Sequence, residues 1–194
     1  TPISAPAIVG LAVGAAMRGA RPIVEFMFSA FITLVMVEHA YQAAKTRWMS
    51  GGQFNVPLVI RTAVGVGGLM GPQHSQSLYA WLCHVPGLKV VIPSNPADAK
   101  GLFAAAVRDD DPVIFFEDRN TYGLKGPVPE GEHLVPLGRA AVCRAGSDVT
   151  LVAIGRMVQT ALSAAEHLAR QGIEAEVIDL RTLRPLDDRT ILAS

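Results

Sequence analysis

Short apolar runs alternate with stretches of helical periodicity along most of the chain. The runs predict buried strands at residues 21–26, 57–60, 88–92, 112–117, 149–154 and 176–180. The periodic stretches predict helices at residues 5–18, 30–47, 95–108 and 158–171, with a shorter amphipathic segment at 78–82. Alternating strands and helices are typical of a parallel sheet built from right-handed crossovers. The pattern therefore predicts an α/β fold.

A segment rich in glycine and proline interrupts this alternation. Residues 123–133, with the sequence GLKGPVPEGEH, show neither helical nor strand periodicity, which is typical of a linker. A new strand–helix–strand pattern begins at Asp148. We therefore expect two domains, the first over residues 1–135 and the second over residues 136–194.

Composition limits the classes of function. Half of the 194 residues are hydrophobic and 18% are charged, so a sizeable core is expected. Lys and Arg together number 17, as do Asp and Glu, and the absence of a basic run argues against nucleic acid or a membrane surface as a partner. The charge-free stretches 1–17 and 62–88 are too short or too interrupted to span a bilayer. Cys83 and Cys143 lie far apart, and no CxxC or HExxH spacing occurs, so a transition-metal site is not expected.

Residues 57–100 contain the pattern of an active-site edge. A predicted strand is followed by a glycine-rich loop at residues 65–71 and then by His74 at a predicted helix start. In open α/β sheets, ligands bind beyond the carboxyl ends of the strands. The loop does not match a dinucleotide fingerprint, because Met70 occupies the third glycine position and no acidic residue follows about 20 positions later. His74 is therefore a candidate functional residue, whereas the position of His39 indicates a structural or solvated side chain.

Several ordered motifs carry a family resemblance. They are TPIS, RPIVEFMF, AAKTRWMSGGQ, VPLVIR, GPQHSQSLYAWLCHVPGLKVVIPSNPADAKGL, AVRDDDPVIFFE and EVIDLRTLRPLD. Together they resemble the β subunit of the E1 component of 2-oxo acid dehydrogenase complexes, whose members act on pyruvate, branched-chain 2-oxo acids or acetoin. The resemblance implies a parallel-sheet, thiamine-diphosphate pyrimidine-binding domain followed by the start of a transketolase C-terminal-like α/β domain. E1 β subunits extend beyond both ends of this sequence, so we expect it to be a fragment of a longer polypeptide.

The resemblance also implies a reaction and a set of partners. The reaction is the thiamine-diphosphate-dependent oxidative decarboxylation of a 2-oxo acid, with acyl transfer to lipoamide. The implied partners are an E1 α subunit and a second β subunit in a heterotetramer, together with a lipoylated E2 component. The sequence lacks a GDG motif followed by an asparagine, so the resemblance places the cofactor's diphosphate and Mg²⁺ on the α subunit. The expected compartment is the bacterial cytoplasm or the mitochondrial matrix, without a targeting signal in this chain.

Three side chains are assigned to the site by the resemblance. His74 would handle the substrate carboxylate and take part in acyl transfer, since a neutral imidazole can donate or accept a proton near physiological pH. Met27 and Phe31 would pack on the aminopyrimidine ring of the cofactor, which apolar and aromatic side chains can hold by stacking. From the residues alone, core packing is the default interpretation of Met27 and Phe31.

Some family members also bind a potassium-like ion. The implied ligands here are the carbonyls of Leu58, Ala106, Val107 and Asp109, with Asp111 completing the site. Oxygen ligands of this kind suit a hard monovalent cation. From the residues alone, residues 106–112 would instead be a solvated helix end.

Position 5 departs from the family pattern. A glutamate follows TPIS in the family, where its carboxylate binds the cofactor's pyrimidine nitrogen and assists proton removal from the thiazolium carbon. This chain has Ala5 at the position, and a methyl group cannot act in that way. Two alternatives therefore stay open, namely a catalytically impaired assembly subunit and a fragment of another transketolase-like thiamine enzyme.

Overall fold

The computed structural model describes residues 2–65 and 70–194, and most of the glycine-rich loop predicted at 65–71 lies outside the described residues. Its strands are β1 (Ile23–Phe26), β2 (Val59–Val64), β3 (Lys89–Val91), β4 (Val113–Asp118), β5 (Ala141–Arg144), β6 (Val149–Ala153), β7 (Ala175–Asp179) and β8 (Thr182–Arg184). Its α-helices are α1 (Ala5–Met17), α2 (Ala44–Met49), α3 (Tyr79–Cys83), α4 (Pro96–Arg108), α5 (Arg156–Ala169) and α6 (Asp188–Ala193).

The described strands form two sheets, ordered β1-β2-β4-β3-β8 and β5-β7-β6. In the first sheet β1, β2, β4 and β3 are parallel, and β2 pairs with β4 from Val59 opposite Val113 to Val64 opposite Asp118. In the second sheet β6 and β7 are parallel. The predicted α/β class is confirmed, with the antiparallel strands β8 and β5 added at one edge of each sheet.

Apolar side chains cover both faces of the first sheet. On one face, Ile60 and Phe116 belong to the cluster that also contains the buried side of α1. On the other face, Leu102 from α4 packs with Val113 and Phe115. Strands covered on both faces have nearly continuous apolar sequences, which is why the hydrophobic pattern predicts them well. Burial of each large apolar side chain stabilises the fold by about 1.5–3 kcal/mol.

Helix α1 forms because its sequence is rich in alanine and has Pro6 in the first turn, where the missing N–H removes no helical hydrogen bond. The helix ends before Gly19, whose φ of 96° favours glycine. Val9 and Val13 are buried, whereas Leu11 is 77% exposed. Within the described ranges, none of the helices combines the length and apolarity needed to cross a membrane.

The helix predicted at residues 30–47 is helical but is not one regular α-helix. Ser29–Val35 forms a 3₁₀ helix and Val37–Ala43 a π-helix, and only α2 has α geometry. We name residues 29–43 the 3₁₀–π segment. Four of its residues are β-branched, and such side chains crowd the preceding turn and weaken the preference for an α-helix. Its buried side carries Ile32, Val35, His39 and Ala43, and its exposed side carries Leu34, Val37 and Tyr41.

One predicted strand boundary is wrong, and three short elements were not predicted. The strand predicted to end at Arg61 continues as β2 to Val64, because the guanidinium pairs with carboxylates on the neighbouring strands and the backbone stays in the sheet. Strand β5, which lies between the predicted linker and the unit that begins at Asp148, was not predicted, because it is half-exposed and has no strong alternation. The short elements β8 and α6 near the end of the sequence were also missed.

Polar side chains join the two sheets. Ser94, which follows β3, donates a hydrogen bond to Asp179 at the end of β7, and burial raises the pKa of that carboxyl group. Arg181 pairs with the buried Asp98 in the first turn of α4, with 2.8 Å between Nη2 and Oδ1. Arg181 has a φ of 58°, which is uncommon for a residue with a side chain. Breaking a buried pair of this kind typically costs about 3–5 kcal/mol, so these contacts fix α4 against the second sheet.

His39 is fully buried on the inner side of the 3₁₀–π segment. Among the described residues, neither ring nitrogen has a hydrogen-bond partner of good geometry. Burial lowers the pKa of the imidazole, and the nearby Val35 backbone and Glu38 carboxylate offset this effect only in part. The folded protein therefore favours the neutral ring.

We predict that His39→Leu makes the stability of the protein less dependent on pH. The unfolded chain takes up a proton at His39 below about pH 6.5, whereas the folded protein resists it, so stability falls as the pH drops from about 7 to 5. One such histidine contributes at most about 1.4 kcal/mol per pH unit. Urea unfolding at pH 7 and pH 5 measures this loss, which should be smaller in His39→Leu than in the unmodified protein. The exposed His167 provides the control His167→Leu, and equal pH dependence in the two variants would contradict the prediction.

Candidate active site at the carboxyl edge of the first sheet

A cleft of about 400 Å³ opens at the carboxyl ends of β1, β2 and β4. Its lining residues come from these three strands and from the segments that follow them: Glu25, Phe26, Met27, Phe28, Arg61, Thr62, Ala63, Met70, Glu117, Arg119 and Tyr122. Parallel α/β sheets bind ligands at this edge, which is where the sequence predicts the site. The lining combines ionised groups on the strands with apolar side chains that follow β1.

An aromatic group stands beside this cleft. The His74 ring meets the Phe28 ring edge to face with 4.3 Å between centroids, and Phe31 lies 6.0 Å from both rings. His74 ends a short 3₁₀ turn, Pro72–His74, and the hydroxyl of Ser29 donates to the carbonyl of Gln76 at 2.7 Å. That bond ties the turn to the 3₁₀–π segment, so His74 is held against Phe28 and Phe31.

Arg119 lines the candidate cleft and was missed by sequence reasoning. It is the first residue after β4, and its guanidinium carbon lies 5.3 Å from the centroid of the Phe28 ring. Its Nη2 also lies 3.0 Å from the sulfur of Met70. A cation at this distance from an aromatic face is stabilised by about 0.5–2 kcal/mol. The sequence did contain a signal for Arg119, namely a basic residue directly after a predicted buried strand.

Arg61 organises the charged side of the cleft. It forms a two-bond pair with Glu117 at 2.6 and 2.9 Å and a further bond to Glu25 at 2.8 Å. The hydrogen bond to Glu117, with smaller contributions from both carboxylate charges, raises the pKa of Arg61 above its ordinary value. Tyr122 donates to Glu117 at 2.8 Å, and burial together with this bond raises the pKa of the phenol to about 12. Arg61 therefore stays protonated, and the two carboxylates offset its positive charge. Tyr122 also stays protonated at physiological pH.

The structure brings some of the predicted site residues together. Phe31 and His74 belong to one aromatic group, and Met27 lines the adjoining cleft with 70% of its surface exposed. Ala5 is the first residue of α1 and packs, partly buried, on the main core cluster. Helix α1 contacts the 3₁₀–π segment that carries Phe31, so Ala5 and Phe31 lie on neighbouring elements.

The carbonyls predicted to bind a potassium-like ion lie at the opposite end of the first sheet. The Leu58 carbonyl accepts a hydrogen bond from the N–H of Val113 at 2.9 Å, and the Ala106 carbonyl accepts one from Asp109 at 3.3 Å. The other two carbonyls are bound by one side chain: Arg21 donates to Val107 at 3.1 Å and to Asp109 at 2.8 Å. A guanidinium therefore already provides positive charge at these carbonyls.

Two further basic side chains surround Asp111, which completes the predicted set. Lys89 bridges Asp109 at 2.6 Å and Asp111 at 3.3 Å, and Arg47 contacts Asp111 at 2.7 Å. Although partial burial opposes it, the bond from Arg47 and the charge of Lys89 hold the pKa of Asp111 below its usual range. The Arg47–Asp111 pair also lines a larger hollow of about 590 Å³ beside Trp48. The smaller cleft is the candidate active site, because the aromatic group and the ionised side chains converge there.

The geometry supports a limited set of chemical tasks. The faces of Phe28 and Phe31 can hold a planar ring by stacking. His74 offers an imidazole, and Arg119 offers a planar cation. The apolar contacts fit the pyrimidine half of thiamine diphosphate, whereas the methyl group of Ala5 provides no hydrogen bond to a ring nitrogen.

Comparisons with known families divide the chain in two. The family described as "Transketolase, pyrimidine binding domain" matches residues 1–125, and "Transketolase, C-terminal domain" matches residues 138–194. In fold, the chain is similar to a split-gene transketolase, solved as an inactive β4 tetramer, with a TM-score of 0.78 and 25% identity. That similarity covers 99% of this chain and 59% of the solved one. A transketolase mutant from Pichia stipitis, 20% identical with a TM-score of 0.71, shows the same fold over 92% of this chain and 26% of its own. These results confirm the predicted transketolase-like fold.

The chain is also similar over its whole length to several β subunits. It is 52% identical to the β subunit of the acetoin:2,6-dichlorophenolindophenol oxidoreductase of Bacillus subtilis, covering all of this chain and 57% of that protein. It is 49% identical to the mitochondrial pyruvate dehydrogenase E1 β subunit of Drosophila melanogaster, covering 100% of this chain and 54% of that protein. It is 47% identical to the 2-oxoisovalerate dehydrogenase β subunit of Bacillus subtilis, covering 99% of this chain and 59% of that protein. The resemblance to E1 β subunits is thus confirmed, although the chain spans little more than half of their length.

Proposed function

Because the chain belongs to the family of the transketolase pyrimidine-binding domain, we propose that it forms part of the β subunit of an E1 component. In this proposal the complete protein takes part in the oxidative decarboxylation of a 2-oxo acid and the transfer of the acyl group to lipoamide. The observation that carries the proposal is the aromatic group of Phe28, Phe31 and His74 beside the cleft at the carboxyl edge of the sheet. The full-length similarity to β subunits supports it.

E1 components depend on thiamine diphosphate, which supplies the electron sink for decarboxylation when bound. We propose that this chain holds the pyrimidine half through Met27 and Phe31. Their exposed apolar surface at the sheet edge supports this role, since 70% of Met27 and 38% of Phe31 are accessible. The diphosphate and its Mg²⁺ belong to an α subunit in the proposal, with a second β subunit and a lipoylated E2 as further partners.

His74 is the proposed catalytic residue. Its ring is held by Phe28 and Phe31, so the imidazole has a fixed orientation at the mouth of the site. In the proposal it binds the substrate carboxylate and moves a proton during acyl transfer. The names of the relatives include bacterial and mitochondrial proteins, which supports a bacterial cytoplasm or the mitochondrial matrix as the compartment.

We predict that His74→Ala lowers acyl transfer to lipoamide much more than it lowers stability. Loss of a group that transfers a proton typically costs about 10²-fold or more in rate. The measurement is lipoamide acylation by the assembled enzyme carrying Ala5→Glu, with and without His74→Ala, together with thermal unfolding of both. His167→Ala, which removes an exposed imidazole on α5, is the matched control and should leave acyl transfer unchanged. Normal turnover of a variant that melts early would assign His74 to packing.

Ala5 decides between an active and an impaired subunit. A carboxylate at this position would bind the pyrimidine nitrogen, and a methyl group cannot. We therefore propose that the protein with Ala5 folds and pairs with an α subunit but is catalytically impaired. Ala5 fits the first turn of α1 without strain, because alanine is a good helix former and the position is only partly buried.

We predict that Ala5→Glu raises thiamine-dependent activity of the complete protein assembled with an α subunit by about 10²- to 10⁴-fold. The assays use pyruvate, 2-oxoisovalerate and acetoin, and hydrogen–deuterium exchange at the cofactor's reactive carbon isolates the step in which position 5 acts. Ala5→Gln is the matched control, since it has similar size and lacks the carboxylate. Equal exchange rates with and without the Ala5→Glu substitution would show that another group activates the cofactor. Lack of activity in every assay would contradict the proposed function.

A monovalent cation at the carbonyls of Leu58, Ala106, Val107 and Asp109, beside Asp111, remains part of the proposal. Such an ion would share two of these carbonyls with the guanidinium of Arg21. Repulsion between the two positive charges would weaken ion binding. We therefore propose that Arg21 reduces the potassium dependence of the fold.

We predict that Arg21→Gln makes thermal stability more dependent on potassium. Loss of the partly exposed guanidinium should destabilise the fold by about 1 kcal/mol and free the carbonyls for an ion. The measurement is Tm in potassium chloride and in choline chloride at equal ionic strength, for Arg21→Gln and for the control Arg18→Gln. The increase in Tm from choline chloride to potassium chloride should be larger for Arg21→Gln than for the control. The same gain in both variants would mean that Arg21 does not compete with an ion.

A further inference from the structure

His39 is a buried titratable side chain that lies outside the candidate site. It belongs to the π part of the 3₁₀–π segment, Val37–Ala43, and is fully buried. Among the described residues, neither Nδ1 nor Nε2 has a hydrogen-bond partner of good geometry. A buried polar group without such a partner costs free energy, which an apolar side chain in the same place would not. Packing alone therefore does not account for a histidine at this position.

The elements that pack most closely on the π part offer little negative charge to an imidazolium. Helix α1 and the preceding 3₁₀ part have no ionisable side chain. On α2, Lys45 and Arg47 are bound to groups outside the segment. Burial lowers the pKa of His39, and the Val35 backbone and the Glu38 charge offset this effect only in part. The ring can therefore take up a proton readily only after the segment opens and the imidazole reaches water.

The geometry of the 3₁₀–π segment suits it to local opening. Its 3₁₀ turns have poorer hydrogen-bond geometry than an α-helix, and π turns occur frequently at functional sites. Its outer side carries the exposed side chains of Leu34, Val37 and Tyr41. Elements with irregular hydrogen bonding and one exposed side open at a lower free-energy cost than the strands of a core.

The same segment holds the aromatic group of the candidate site together. At its start, the hydroxyl of Ser29 donates to the carbonyl of Gln76, which follows the turn that carries His74. Phe31 lies 6.0 Å from the His74 ring. Ser29, Phe31 and His39 stand on one continuous helical stretch, so an opening that exposes His39 would also release the contacts that hold His74.

We propose that His39 is a proton-sensitive switch, whose protonation as the pH falls opens the 3₁₀–π segment and separates Phe31 from His74. This inference rests on the proposed function, since it assigns a mode of regulation to the same site. The ring is neutral in the closed segment and has an ordinary pKa of about 6.5 in the open one. Opening therefore takes up a proton below about pH 6.5, and the open population should rise about 10-fold between pH 7.5 and pH 5.5.

Hydrogen–deuterium exchange of the complete protein in its native assembly tests the switch. Exchange is followed in residues 29–43 and 72–83 at pH 7.5 and pH 5.5, relative to the intrinsic rates at each pH. Both regions of the unmodified protein should exchange about 10-fold faster at the lower pH. His39→Leu should abolish this increase, because leucine cannot be protonated. The control His167→Leu, which removes an exposed imidazole on α5, should retain the increase.

A second variant separates the switch from a folding defect. His39→Met places a flexible apolar side chain in the same space and should also abolish the pH effect. An equal increase in both His39 variants, no increase in the unmodified protein, or an increase confined to residues 29–43 would overturn the inference. Exchange requires no turnover, so failure of every activity assay would contradict the proposed function and leave this test of the switch valid.

Discussion

Arg61 holds three parallel strands in one register at the edge where the candidate site lies. Glu25 on β1 stands directly opposite Arg61, and Glu117 on β4 reaches the same guanidinium. Side chains alternate between the faces of a sheet, so a slip of one residue would turn either carboxylate to the other face. The slip would also bury charge in the core on that side. The ionic bridge and the apolar core therefore specify the same register, although the bridge itself is partly exposed and adds little net stability.

The ends of these strands determine where the functional groups lie. Phe28 follows β1, and Arg119 follows β4, so their contact depends on the pairing of both strands with β2. Where β2 ends, Gly65 adopts a φ of 102°, and a side-chain carbon there would lie 2.7 Å from Asp118. Only glycine fits this close approach, because the neighbouring strand end already occupies the space. The site is thus a property of the sheet edge as a whole.

The fold was largely predictable because burial on both faces gives strands such as β4 continuous apolar sequences. The location of His74 near this sheet edge was predictable for a similar local reason, since it follows a strand and a glycine-rich loop. Arg119 and Phe28 were not, because their importance comes from a contact between segments far apart in sequence. The 3₁₀ and π geometry after β1 also escaped prediction, since periodicity indicates which side of a helix is buried and not how tightly it winds.

The two sides of the site differ in their capacity to move protons. Helix α1 carries no ionisable side chain, and neither do the residues of the 3₁₀–π segment before Glu38. On the sheet side, Tyr122 keeps its proton and Glu25 and Glu117 are bound by Arg61. Among the described residues near the cleft, His74 is the side chain to which the proposed function assigns proton transfer. A carboxylate at position 5 would add an ionisable group to the apolar side of the site. Under the proposed function, that one residue would decide whether both sides of the site or only one could take part in proton transfer.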